Sequence, residues 1–483
     1  MTGSAADTWE NPLGSRYASA EMAALFSARR KFGTWRRLWL WLAEAERELG
    51  LAIPDEALAE LRAHLDPTDE ELAAADRYER ETKHDVMAHV HALGDAAPAA
   101  RGVIHLGATS AYVGDNADVL VLADALALVE RRLVRVIAAL ARFAREWRDF
   151  PCTGWTHFQS AQPTTVGKRA CLWIQDLVLD LHEVSRRRAE LRLLGCKGAT
   201  GTAASFVALF DGDREKARRL DEIVAAKAGI PRRFLVSGQT YTRKQDAFVL
   251  SALAGIAGSA AKFAHDLRLL QHLKEVEEPF GKKQVGSSAM PYKRNPMKAE
   301  RMNALSRWLL SAAANGGATH GAQWLERTLD DSANRRLALA ESFLSADAIL
   351  VLWEAVASGL VVHEHVVRRR LAEELPFLAT ENVLMAAAKK GGDRQALHER
   401  IRLHAQAAAD ALKERGGENP LLAAIAADPA FGLSEGEVGT AADPSRFVGR
   451  APEQVDEFLS AEVDPLLASH AGALAGEAEE VRV

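Results

Sequence analysis

From residue 119 onward the apolar positions of the chain advance in steps of three and four: Val119, Leu122, Leu126, Val129, Leu133, Val136, Leu140, Phe143 and Trp147. That spacing draws one apolar stripe along an α-helix, and four heptads without a break describe a coiled-coil-like seam. About 29 residues at ~1.5 Å each make a rod of roughly 44 Å, which needs parallel partners. The pattern returns over 245–276 through Val249, Leu253, Ile256, Ala260, Phe263, Leu267 and Leu270, and further long helical patterns cover 166–194, 296–315 and 333–359. A central five-helix bundle is predicted. Small residues between the seams of the third rod, Ala252, Gly255, Ala257 and Gly258, predict a second buried face and so subunit packing.

The flanks read differently. Residues 1–111 break into shorter helices, with Trp35, Leu38, Leu42 and Ala45 on one face of the pattern over 31–49. From about residue 361 the helices shorten again, punctuated at Gly391-Gly392 and Gly416-Gly417. β-branched alternation is scarce, so the fold class expected is all-α in three helical domains: 1–111, a central bundle over 112–360 with a loop at 282–296, and a small domain over 361–483. The end, 471–483, is expected to fray.

A chain of 483 residues is long enough for about three domains of ~150 residues, each with its own core. A net charge of −6 argues against a nucleic-acid coat or a membrane-surface protein. Cys152, Cys171 and Cys196 lack CxxC spacing and are odd in number, which fits reduced thiols in the cytoplasm. The start, MTGSAADTWENPLGSRY, has no signal-peptide blocks, and no run reaches the ~18 uncharged apolar residues of a membrane span. A soluble protein is expected.

Chemistry concentrates in the connections. GSSAMPYKRNP, 286–296, feeds a helical pattern, with Asn295 placed to be an N-cap and Pro296 to be the first helical residue. The helix start, with Lys293 and Arg294 beside it, would hold an anion, including one that gains charge during a reaction. Ser287, ionised with help from Lys293 and backbone N–H groups, could remove a proton from carbon next to a carboxylate; otherwise the stretch is a solvated basic turn.

Other motifs add to it. ETKHDVMAHVH, 81–91, would put His84 and His91 on one helical face, but it is not HExxH and no metal site is expected. In IHLGATSAYVGDN, 104–116, Thr109 and Ser110 offer hydroxyls to a carboxylate, and Asp115 or Asn116 would cap the first rod. GWTHFQSAQPTTVGKRA, 154–170, reads as a polar loop before a helix, and its His157 suits a general acid working near its ordinary pKa. KGATGT, 197–202, lacks P-loop spacing and reads as close backbone packing. ERTLDDSANRR, 326–336, is either a surface salt-bridge patch or an anion site.

Together these motifs resemble the fumarase/aspartase superfamily, in the form seen in adenylosuccinate lyases, from SRYAS near residue 15 to about residue 470. The resemblance implies a homotetramer whose bundles merge and whose active sites each draw on three chains. It implies Ser287 as base, His157 as acid held by Glu300, and His84 as a catalytic residue beside the substrate, with the proton donor open between His157 and His84, and Lys293 and Asn295 stabilising the intermediate. Substrate contacts implied are Arg16, Tyr17, Lys83, Asp85, Thr109, Ser110, Gln239, Arg301, Arg327, Ser332 and Arg336. Many relatives have Arg at Lys83 and Pro at Ser160. The reaction implied is release of fumarate from a succinylated purine nucleotide, with no cofactor, metal, nucleic acid or membrane. An argininosuccinate lyase would be expected to carry a loop closer to SLMPQKKNP, and a silent helical scaffold would have no need of Ser287, His157, Lys293, Asn295 and Glu300 together.

Overall fold

In a computed structural model, which describes residues 8–444, 447–475, 479 and 481, the longest helix is α1, Ser110–Glu146. Its 37 residues make a rod of about 55 Å. It starts nine residues before the apolar seam because its first turns bury polar groups that have partners elsewhere. Asp115 and Asn116 lie inside the helix and do not cap it; the N-cap is Thr109, whose side chain makes no capping bond. Asn116 instead donates to Tyr112 O at 2.8 Å and accepts from Gly195 N at 2.9 Å.

Four further long helices complete the bundle: α2, Val166–Glu190; α3, Lys244–His272; α4, Met297–Ala322; and α5, Asp331–Ala357. Their apolar stripes meet in one core, where Phe263 of α3 packs edge-on to Trp173 at 5.0 Å and stacks on Trp353, also at 5.0 Å. The Trp173 indole N–H reaches Asp266 at 2.8 Å. α3 is long and apolar enough to cross a membrane, with a mean hydropathy of 1.6 over its best window, but half of that window is packed inside the bundle. On α3, Ala252 and Ala257 belong to the chain's own core, while Gly255 and Gly258 are exposed. Leu179, Phe248, Leu269 and Trp308 also leave apolar surface on α2, α3 and α4 uncovered.

The polar loop expected after α1 is a β-hairpin, β1 Pro151–Thr156 paired with β2 Gln159–Thr165. Thr153, Trp155, Thr164 and Thr165 favour a pleated strand, and Gly154 admits close pairing because a Cβ there would lie 2.3 Å from Gln162 O. His157 and Phe158 form the two-residue turn, with φ of 54° and 56°. A second small sheet pairs β3, Val276–Glu277, with β4, Val361–Val362.

Helix Ala28–Glu48 and its neighbours form a second core with Tyr112, Val113 and Ala117 of α1 and with Phe206, Leu220 and Val224. A third gathers Val383, Leu397, Ile401 and Phe431. At the chain end Ala471–Leu474 is a 3-10 turn and Glu479 pairs with Arg132 at 3.1 Å, so fraying does not begin at 471; residues 476–478, 480, 482 and 483 lie outside the described residues.

Candidate active site

A cleft of ≈ 800 Å³ opens where α1, α3 and α5 begin, closed on one side by the short helices of the N-terminal region. Its wall brings together Lys83, His84, Asp85, Ser110, Gln239, Arg327, Ser332 and Arg336, residues that are up to 253 positions apart in sequence. Thr109 sits beside Ser110 as the N-cap of α1. Gly201, where a Cβ would meet Ser237 O at 1.9 Å, lets KGATGT press against the segment leading to Gln239.

Histidine 84 is not on a helical face with His91. It is the N-cap of helix Asp85–Ala96, its Nδ1 accepting from Met87 N at 3.3 Å and its Nε2 lying 3.3 Å from Ser110 Oγ. That geometry aims one ring nitrogen into the cleft. His89 turns inward and stacks on Phe32 at 3.6 Å, where burial lowers its pKa to about 4. Lys83 takes a left-handed φ of 55° as it ends the preceding helix.

The floor of the cleft is an ionic network. Arg243 binds Asp115 through two nitrogens at 3.0 Å and Asp331 at 2.7 Å, and Arg327 reaches the other oxygen of Asp331 at 2.8 Å. Arg335 holds Asp246 at 2.7 Å and Asp118 at 2.9 Å and donates to Tyr241 OH at 2.7 Å. Thus the cluster in 326–336 is not merely a surface patch: although Arg336 is exposed, Asp331 is 1% exposed, and its partners lie at the N-cap of α3 and before α5. The sequence motifs single out none of Lys31, Asp118, Tyr241, Arg243 and Asp246, and mark Arg335 only as one member of the cluster in 326–336. Asp115, Asp118 and Asp246 were detectable only as acids near the start of otherwise apolar rods. Asp118 keeps 37% of its side chain open to the cleft, and desolvation there raises its pKa.

GSSAMPYKRNP, the signature segment of the family resemblance, lies elsewhere. α3 leaves the cleft and runs 29 residues to His272 before the chain enters the loop at 282–296, and α1 runs its full length before the hairpin. Neither Ser287 nor His157 lines the cleft of its own chain. Ser287 Oγ accepts from Met290 N at 3.1 Å, and Asn295 Nδ2 donates to Gly286 O at 2.7 Å. Lys293 is exposed. Glu300 faces Arg268 at 3.9 Å, and the Arg301 guanidinium lies 5.5 Å from the Tyr17 ring. Arg16 and Tyr17 end a short π-helical turn, Leu13–Tyr17, with Arg16 exposed.

The start of α4 departs from the capping expected. Asn295 is not the N-cap; Pro296 occupies that position, and the first N–H groups of the helix are taken by Glu278, which accepts from Lys298 N at 3.1 Å and Ala299 N at 2.9 Å. A buried carboxylate from outside the motif therefore fills the anion site that the sequence suggested for a ligand. Gln271 joins both ends of the segment, accepting from Glu278 N at 3.3 Å and donating to Arg294 O at 3.0 Å.

Comparison with known proteins agrees over nearly the whole chain. A family described as Lyase matches residues 25–309, and one described as Adenylosuccinate lyase C-terminus matches residues 376–458. The adenylosuccinate lyase of Saccharomyces cerevisiae is 51% identical over 462 residues, covering 95% of this chain and 96% of the yeast protein. That of Schistosoma mansoni is 46% identical over 471 residues, covering 97% and 98%. Among solved structures, the 3-carboxy-cis,cis-muconate lactonizing enzyme from Pseudomonas putida superposes with a TM-score of 0.82 at 26% identity, covering 94% of this chain and 99% of that one.

Proposed function

The chain belongs to the adenylosuccinate lyase family, and from that premise we propose that it cleaves adenylosuccinate to AMP and fumarate, and succinylaminoimidazole carboxamide ribotide to its amide and fumarate, in purine biosynthesis. Both are β-eliminations. Ionised Ser287 takes the proton from the succinyl carbon next to the carboxylate. The electron pair left behind forms the double bond of fumarate as the carbon–nitrogen bond breaks, and His157 gives the departing nitrogen its proton.

Charge gathers on the succinyl carboxylate as the proton leaves. Lys293 is the cation assigned to it, and the N–H of Met290, already 3.1 Å from Ser287 Oγ, supports the serine in its ionised form. The α4 terminus takes no part, since Glu278 holds it. Asn295 acts by closing the loop on Gly286 O. Lys83, His84, Asp85, Thr109, Ser110 and Gln239 are assigned to the substrate on the cleft side, with Arg327, Ser332 and Arg336. Arg16, Tyr17 and Arg301 are assigned to it from the signature side, and Glu300 to orienting His157.

One observation carries this reading: the cleft sits at one end of a ~55 Å rod, while the loop bearing Ser287 and the hairpin bearing His157 follow the far ends of α3 and α1. Other chains then supply them, and we assign one to a second chain and one to a third, which suits a cytoplasmic homotetramer whose uncovered apolar surface at Leu179, Phe248, Leu269 and Trp308 is shared between subunits. Mixing two inactive variants, Ser287→Ala and His157→Ala, after joint denaturation and refolding should restore part of the activity. Full activity in either variant alone would overturn its assigned role, and no recovery on mixing would overturn the shared site.

A further inference from the structure

Six cations line the cleft: Lys31, Lys83, Arg243, Arg327, Arg335 and Arg336. The four guanidinium groups are engaged with carboxylates, Arg243 with Asp115 and Asp331, Arg327 with Asp331, Arg335 with Asp246 and Asp118, and Arg336 with Asp85 at 3.0 Å. Among the described residues, no ion pair or side-chain hydrogen bond engages the ammonium group of Lys31 or of Lys83. Lys83 stands in the ETKHD motif, but nothing in the sequence pattern singles out Lys31, which enters the cleft from the first turn of helix Ala28–Glu48.

Its setting is built. The ammonium lies 4.9 Å from the Trp35 ring and 5.1 Å from the Phe32 ring, so two aromatic faces hold it without neutralising it. Trp35 itself lines the cleft, and so do His84 and Ser110. The charged groups facing Lys31 come from four elements: Glu79, Asp85, Asp118 of α1 and Arg336 of α5. Arg336 opposes the charge of Lys31, and the three acids favour it.

We propose that Lys31 is a further substrate-binding residue, presenting an unpaired ammonium to an anionic group of the ligand, phosphate or carboxylate. The inference rests on the cleft being the substrate site. An entering anion finds at Lys31 a donor that it need not take from a carboxylate. At the four arginines it must compete with an existing ion pair. Burial in the cleft, with Arg336 close by, lowers the pKa of Lys31, so binding through it should fade with rising pH before an ordinary lysine would lose its proton.

The test uses the full-length protein and the variants Lys31→Met and Lys31→Arg. Lys31→Met should raise KM for adenylosuccinate about tenfold or more, the scale of a lost charge-assisted hydrogen bond, with kcat within about threefold; Lys31→Arg should restore most of the affinity. Calorimetric titration with inorganic phosphate and with fumarate identifies the group bound, since only the matching anion should bind more weakly to Lys31→Met. Titration does not depend on turnover, so it stands even if the roles given to Ser287 and His157 fail. Unchanged KM and unchanged binding of both anions in a folded Lys31→Met protein would overturn the proposal. Should that variant not fold, wild-type binding of both anions that is flat as pH rises through the alkaline range would overturn it equally.

Discussion

Arg243 grips Asp115 through two guanidinium nitrogens, each at 3.0 Å, and so ties the start of α3 to the start of α1 beneath the cleft. The same guanidinium binds Asp331 at 2.7 Å, so one cation joins three bundle helices. Removing it leaves Asp115, 5% exposed, with the Tyr241 N–H and a more distant Arg335 at 3.9 Å, and leaves Asp331, 1% exposed, with Arg327 as its cation. Arg243→Met should therefore destabilise the protein by ~3 kcal/mol, read as a lower midpoint in urea, because breaking one cation out of a buried ion network leaves carboxylates only partly compensated, which costs more than the pairs contributed. A midpoint within experimental error of wild type would show that the network does not hold the helix ends.

Glu278 does for α4 what an N-cap side chain does elsewhere, but from nineteen residues before the first helical position, Met297. Burial raises its pKa, against the backbone N–H groups of Ala299 and Lys298 and the nearby Lys298 ammonium, which favour the ionised form. Replacement by Ala should cost ~1–2 kcal/mol, the scale of a lost cap. Because the bond also fixes where the signature segment ends, kcat should fall more than KM rises. Glu278→Gln keeps one acceptor and should land between Ala and wild type in both measurements.

The hairpin carries His157 on a turn whose two residues both have positive φ, so its aim depends on how closely β1 and β2 pair. Gly154→Ala would place a Cβ 2.3 Å from Gln162 O and force the strands apart. The expected outcome is a loss of kcat of tenfold or more, with the helical far-ultraviolet signal intact because the core of the bundle does not involve that contact. Wild-type turnover in this variant would separate hairpin geometry from the chemistry assigned to His157.

What was legible in the sequence follows from periodicity. The five rods could be read because each repeats one apolar spacing over several turns, whereas the hairpin has too few residues to show a period and its Gly, Gln and Pro resemble a loop. The motifs pointed to His84, Ser110, Gln239, Arg327, Ser332 and Arg336, and the fold brings these six to one cleft. Capping departs from the local pattern at α4, where the acceptor comes from far along the chain, and at α1, where Asp115 is taken up by partners on other elements. Asn295 and Asp115 have the right chemistry for a local cap, but Glu278 and the burial of Asp115 under Tyr241 N and Arg243 are tertiary facts that no local window contains.

Glu46 gives a stability prediction with a definite sign. It lies on the buried face of helix Ala28–Glu48, 0% exposed, with neither carboxylate oxygen hydrogen-bonded, and burial pushes its pKa from the ordinary 4.5 up to about 8. Between those two values the unfolded chain has lost a proton that the folded chain keeps. Folding is then favoured below about pH 4.5 and progressively less so as pH rises through the window, with the loss complete above about pH 8. At pH 7 the penalty is of the order of 3 kcal/mol, at ~1.4 kcal/mol per pH unit. In Glu46→Gln the proton is no longer at issue, so the unfolding midpoint should decline less between pH 5 and pH 8 than in the wild type, and the variant should overtake the wild type toward the alkaline end. Parallel pH profiles for the two proteins would mean that Glu46 is ionised and paired in the folded state.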